Sequence, residues 1–246
     1  MSTSKLERFL ESETPNLHGI KQYTPILLAD SKGYQLYNQR NYNTVEKEIQ
    51  WWGDSGYSTS DGLQYIKRNI NRAIRNFGNI WIYIWLGTCD LTVKERDHKI
   101  NIRSTSDSSI IHLSEKFQEI GRFLSGFPEV RYTILKIPHY SIEVYNKSKG
   151  HQNYTEYKDN DSILWNQIDT INQEIDSINS AIGSHSPFFS LDLYRNSKYK
   201  KGKHRDSCQR HIYNFNFYTD GIHPNHLLSK VWLKRTTNQI SRDCWY

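Results

Sequence analysis

The chain has little cysteine. Three occur in 246 residues, at positions 89, 208 and 244, and an odd, sparse set excludes a disulfide framework. Long apolar runs are missing too, since no stretch approaches the ~18 residues of a membrane-spanning helix. The opening residues Met-Ser-Thr-Ser-Lys-Leu-Glu-Arg lack the apolar core of a secretion signal. The chain is therefore expected to be intracellular, or to be cut from a longer protein. Internal repeats and an interdomain linker are also lacking. The length suits one α/β domain, read as a polar lead-in over 1–22 (flexible, or a short helix) and a single domain over 23–246. Hydrophobic residues reach only 36%, yet 17 Tyr, 9 Phe and 7 Trp supply bulky apolar area for a core. The net charge of +6 describes a basic surface, with attraction to nucleic acid or an anionic membrane as the sharper reading.

What is present is an alternation of strands and helices. Pro25 to Ala29 is a short apolar run closed by Asp30-Ser31-Lys-Gly33 and reads as a buried strand. Residues 33–44 are polar and read as helical. Val45 to Trp52 is a weaker strand, stopped by Gly53-Asp-Ser-Gly56. Apolar residues at 63, 66, 70 and 74 have helical spacing, with Ser60 or Asp61 as the N-cap. Ile80 to Leu86 is apolar on both faces, as a central parallel strand should be. Residues 91–108 read as a long loop, 109–125 as a helix, and 131–138 as a fourth strand. Residues 139–160 read as a long mobile loop, and 161–182 as an amphipathic helix. Residues 187–193 read as a fifth strand, 195–211 as a basic loop, and 226–240 as a closing helix. This order predicts an α/β fold, a three-layer α/β/α sandwich around a flavodoxin-like parallel five-stranded sheet. All strand C-termini then share one edge, where ligands bind.

The chemistry centres on Tyr218-Thr-Asp-Gly-Ile-His-Pro-Asn225. Asp220 and His223 stand three apart, so in a tight turn or a first helical turn they point the same way. The carboxylate can then accept the imidazole Nδ1 proton and leave Nε2 as a base, which is two thirds of a nucleophilic triad. The turns after the strands offer the rest. Ser31 follows the first strand, Gly53-Asp-Ser-Gly56 the second, and Gly87-Thr-Cys-Asp90 the third. On a shared sheet edge these supply a nucleophile, oxyanion donors and a base.

From residue 25 to about 240 the chain resembles the SGNH (GDSL) hydrolases. The family's four blocks look like Ala29-Asp30-Ser31, Ser55-Gly56-Tyr57-Ser58, Gly87-Thr88-Cys89-Asp90 and Asp220-Gly-Ile-His223. The resemblance implies Ser31 as nucleophile, His223 as general base and Asp220 as its orienting partner. It also implies an oxyanion hole from the backbone N–H groups of Ser31 and Gly56, with Cys89 in place of the family's third donor, an Asn side chain. Ala29 for the family's Gly is a mild departure. Cys89 is a larger one, because a thiol is a poor donor and losing one such contact costs about 10²–10³ in rate.

The implied function is a serine esterase or O-acetylesterase acting through an acyl-enzyme on a small ester or an acylated carbohydrate or lipid, with no cofactor and no metal. The alternative is a weakly active or non-catalytic binding module. It resembles the esterase domains encoded by some LINE-type retrotransposons, whose partner is RNA or lipid, and here it would touch nucleic acid or an anionic surface through 195–211. Asp30 and Asp90 are expected to scaffold their turns. His204, Cys208 and His211 have a spacing that would suit a metal, but no fourth ligand accompanies them.

Overall fold

Four strands run parallel in the order β2-β1-β3-β6, which the computed structural model gives as Thr24–Ala29 (β1), Gln50–Trp52 (β2), Ile80–Trp85 (β3) and Val130–Ile134 (β6). The described residues are 1–13, 17, 19–41, 43–194 and 213–246. The basic stretch 195–211, with His204, Cys208 and His211, lies outside them. Every residue of β1 is buried, as its unbroken apolar run requires when both faces are covered. Leu28 pairs with Trp52 on one side and Ile84 on the other.

Helices cover the two faces. α2 (Ser31–Tyr37), α3 (Thr44–Glu48) and α9 (His226–Cys244) pack together against β1, while α4 (Thr59–Phe77) and α6 (Ser108–Leu124) pack on the opposite side with α8 (Lys158–Ala181) beside β6. Leu63, Ile66 and Ile70 of α4 are buried, as their spacing predicts. Its N-cap is Ser58 rather than Ser60 or Asp61. Asp61 instead closes a capping box, accepting the Ser58 N–H at 2.9 Å. Within the lead-in, α1 (Thr3–Glu11) buries Leu6 against α9.

Among the described residues the parallel sheet has four strands, not five. Residues Phe189–Leu193 form a 3₁₀ turn, and the outer edge of β6 explains why. Asn179 of α8 accepts from Ile134 N at 2.9 Å and donates to Ile134 O at 2.7 Å. Asn172 does the same to Ile137, at 2.8 and 2.9 Å. Ser186 and Ser190 hydroxyls take Lys136 N and His139 N at 2.8 and 3.0 Å. Side chains thus satisfy the backbone that a fifth strand would pair with. The apolar run goes instead to packing, with Phe189 stacked on Trp85 at 4.6 Å and edge-on to Trp232 at 5.5 Å.

Three other expectations change. Residues 45–48 belong to α3, so the second strand is only β2. The expected loop 91–108 holds α5 (Thr88–Leu91) and an antiparallel hairpin, β4 (Thr92–Lys94) with β5 (Ile100–Ile102). The expected loop 139–160 contains α7 (Ile142–Ser148) and a 3₁₀ turn, Tyr154–Tyr157. Asn146 of α7 bonds both backbone groups of Ile100, at 2.9 and 3.0 Å, which fastens the hairpin to the helix. No helix among the described residues is long and apolar enough to cross a membrane.

Candidate active site

The chain leaves β1 for one side of the sheet and β3 for the other, so the crevice at their C-terminal ends is the topological switch point where such folds bind ligands. Ser31 sits there as the first residue of α2. Asp30 caps that helix, its Oδ1 accepting the Lys32 N–H at 2.9 Å. Across the crevice, the segment Asp220–His223 forms a tight turn before α9 rather than the helix's own first turn. Asp220 Oδ1 accepts the N–H groups of Ile222 and His223 at 3.1 and 2.9 Å, and Thr219 N reaches His223 O at 2.7 Å. Gly221 is obligatory, with φ of +92° and a Cβ that would fall 2.7 Å from Tyr145 N.

This turn directs His223 Nδ1 to Asp220 Oδ2 at 2.8 Å and its Nε2 to Ser31 Oγ at 3.0 Å, joining residues 192 apart. Ionised Asp220 accepts the Nδ1 proton, leaving Nε2 to accept from the serine hydroxyl. Burial pushes the Asp220 carboxyl up. The hydrogen bonds and charge of His223 and the Ile222 N–H outweigh it and hold the carboxyl at about 2. Lys149 Nζ adds a cation 3.6 Å away.

Ser31, Gly56, Cys89 and His223 line one cavity of about 700 Å³, together with Tyr145 and Ile222. The β4–β5 hairpin closes one side through Lys94 and Ile100. Gly56 takes a φ of +84° in the turn after β2. Among the described residues no hydrogen bond occupies the backbone N–H of Ser31 or Gly56. Cys89 is half-buried. Burial, then the Asp30 charge, push its thiol up to about 11, so near neutral pH it is an uncharged S–H.

The third block is held by residues that sequence reasoning passed over. Lys32 is buried, with Nζ 2.5 Å from both Asp30 Oδ2 and Thr88 Oγ1. Arg103 donates to the carbonyls of Asp90, Cys89 and Thr92 at 3.0, 2.9 and 3.1 Å. Asp90 accepts the N–H and the hydroxyl of Thr59 at 3.0 and 2.7 Å. The signals were a lysine beside an aspartate after a buried strand and an arginine in a segment taken for loop. Among the described residues, no group of three or more His, Cys, Asp or Glu is placed to hold a metal ion.

No family profile and no curated protein sequence matches the chain. Solved structures do. A GDSL-like lipase from Bacteroides thetaiotaomicron VPI-5482 superposes with a TM-score of 0.60 over 98% of this chain and 99% of its own, at 10% identity. A lipase/acylhydrolase from Enterococcus faecalis gives 0.50 over 90% and 97%, at 13% identity. The fold is that of the SGNH (GDSL) hydrolases.

Proposed function

We propose that this chain is a divergent SGNH-type serine esterase, with Ser31 as nucleophile, His223 as general base and Asp220 as the carboxylate that orients it. One observation carries the reading: the unbroken chain Ser31 Oγ–His223 Nε2 and His223 Nδ1–Asp220 Oδ2, at 3.0 and 2.8 Å. In the proposed reaction His223 takes the Ser31 proton as Oγ attacks the ester carbonyl. The tetrahedral oxyanion faces the N–H groups of Ser31 and Gly56 and the weak S–H donor of Cys89. The intermediate collapses as His223 returns the proton to the leaving alcohol. Water, deprotonated by the same histidine, then clears the acyl group. Asp220 stays ionised and stabilises the imidazolium.

O-Acetyl esters are the proposed substrate class, with acetylated carbohydrate favoured for the reason given below. The test is hydrolysis of p-nitrophenyl acetate by the wild type and by Ser31→Ala. Turnover that disappears in the variant supports the assignment; equal turnover in both contradicts it. Cys89 favours a second reading, in which turnover is slow and binding is the main task. Nucleic-acid binding through 195–211 belongs to that reading. It predicts an affinity for single-stranded RNA that falls with added salt.

A further inference from the structure

Beside the catalytic cavity lies a second, shallower hollow of about 210 Å³. The two share Asp30 and Ser55 among their lining residues, so the hollow adjoins the cavity that holds Ser31. Its surface is aromatic, with Tyr34, Tyr37 and Trp51 among the lining residues. Tyr34 stands one helical turn beyond Ser31 and therefore on the same face of α2. Tyr34 and Tyr37 are 62% and 40% exposed, two of the seven exposed large apolar side chains among the described residues. The rings are braced. Tyr37 meets Trp51 edge to face at 5.5 Å, and the Arg40 guanidinium lies 3.3 Å from the Tyr37 ring centroid. At the rim, Asp54 and Ser55 present a carboxylate and a hydroxyl.

We propose that this hollow is the subsite for a neutral pyranose ring, and that the esterase acts on O-acetylated sugars. This rests on the esterase reading above. Aromatic faces stack on the C–H face of such a ring, while a carboxylate accepts its hydroxyl protons. The Asp54 carboxylate in the lining makes the hollow a poor host for a bare acyl chain. For a nucleotide phosphate the Asp54 charge is opposed by the Arg40 guanidinium on the Tyr37 ring, so a ribonucleoside monophosphate is the competitor that the test includes.

The test uses methyl glucopyranoside and its 6-O-acetyl ester, with ethyl acetate as an ester lacking a ring. NMR titration of methyl glucopyranoside into the Ser31→Ala protein measures binding without turnover. The expected result is binding that weakens by ~5–10-fold on adding Tyr34→Ala and is retained with Tyr34→Phe, since the ring makes the contact. In the Ser31 enzyme, Tyr34→Ala should lower the ratio of kcat/KM for the acetylated glucoside over that for ethyl acetate by the same factor, through KM. No glucoside binding, equal binding by the Tyr34→Ala protein, or preferential binding of a ribonucleoside monophosphate by the same residues overturns the subsite. Failure of the esterase reading looks different: glucoside binding that depends on Tyr34, with no hydrolysis of the acetate by the wild type.

Discussion

The two sides of the cavity at Ser31 are held by different means. On the His223 side, the four consecutive residues Asp220–His223 make the pair. Asp220 binds the imidazole and two backbone N–H groups of its own turn, and Gly221 allows the close approach to α7. On the side of Ser31, Gly56 and Cys89, three separate turns meet, and a buried Lys32–Asp30 pair, Arg103 and Asp90 hold them together. The first side rests mainly on local sequence, with Lys149 the cation brought from outside the turn, and the other on long-range contacts.

Four substitutions or titrations would break or sharpen that contrast. The largest effect is expected from Asp220→Asn, which leaves the turn in place but imposes the wrong tautomer on His223. In the esterase reading, kcat for p-nitrophenyl acetate should fall by ~10⁴, and a loss below tenfold would detach Asp220 from the base. Next comes Cys89→Asn, which restores a side-chain amide donor. The rate should rise by about 10²–10³, measured as kcat on the same ester, and an unchanged rate would show that the thiol position is not part of the oxyanion hole.

Lys32→Met tests the scaffold. Lys32 and Asp30 side chains are 3% and 1% exposed, so removing the cation strands a buried carboxylate and should cost about 3–5 kcal/mol in urea unfolding. The double variant Lys32→Met/Asp30→Asn should recover most of that loss.

The smallest effect is on pH dependence, and two carboxylates near α7 give opposite signs. Asp161, pushed up to about 7 mainly by burial, holds its proton longer folded than unfolded. Its contribution to stability is present below about 4 and is lost as pH rises to about 7. Asp220, held at about 2, contributes above about 4 and loses that contribution as pH falls toward 2. Asp161→Asn should flatten the stability profile between pH 4 and 7 and leave the acid limb intact.

The same contrast explains what could be read from the sequence. The Asp220–His223 spacing, the all-apolar β3 and the turn after β1 are local patterns, and each lies where its pattern predicts. The fifth strand failed because Asn179 and Asn172, ordinary polar residues in a helix, occupy the backbone of Ile134 at the end of β6 and of Ile137 beyond it. The β4–β5 hairpin was hidden because its strands, Thr-Val-Lys and Ile-Asn-Ile, are three residues long, below the length at which alternation becomes visible. Its turn places Asp97 and His98 at positive φ with no glycine to mark it. Lys32 escaped notice because a lysine beside a sheet edge ordinarily faces solvent.

The central claim is that Ser31, activated by His223, is the nucleophile. A fluorophosphonate probe followed by peptide mass spectrometry tests it most directly. The account predicts one phosphonylated peptide, modified at Ser31, and no adduct in Ser31→Ala. An adduct on another residue, or labelling of the variant at the wild-type rate, would contradict it.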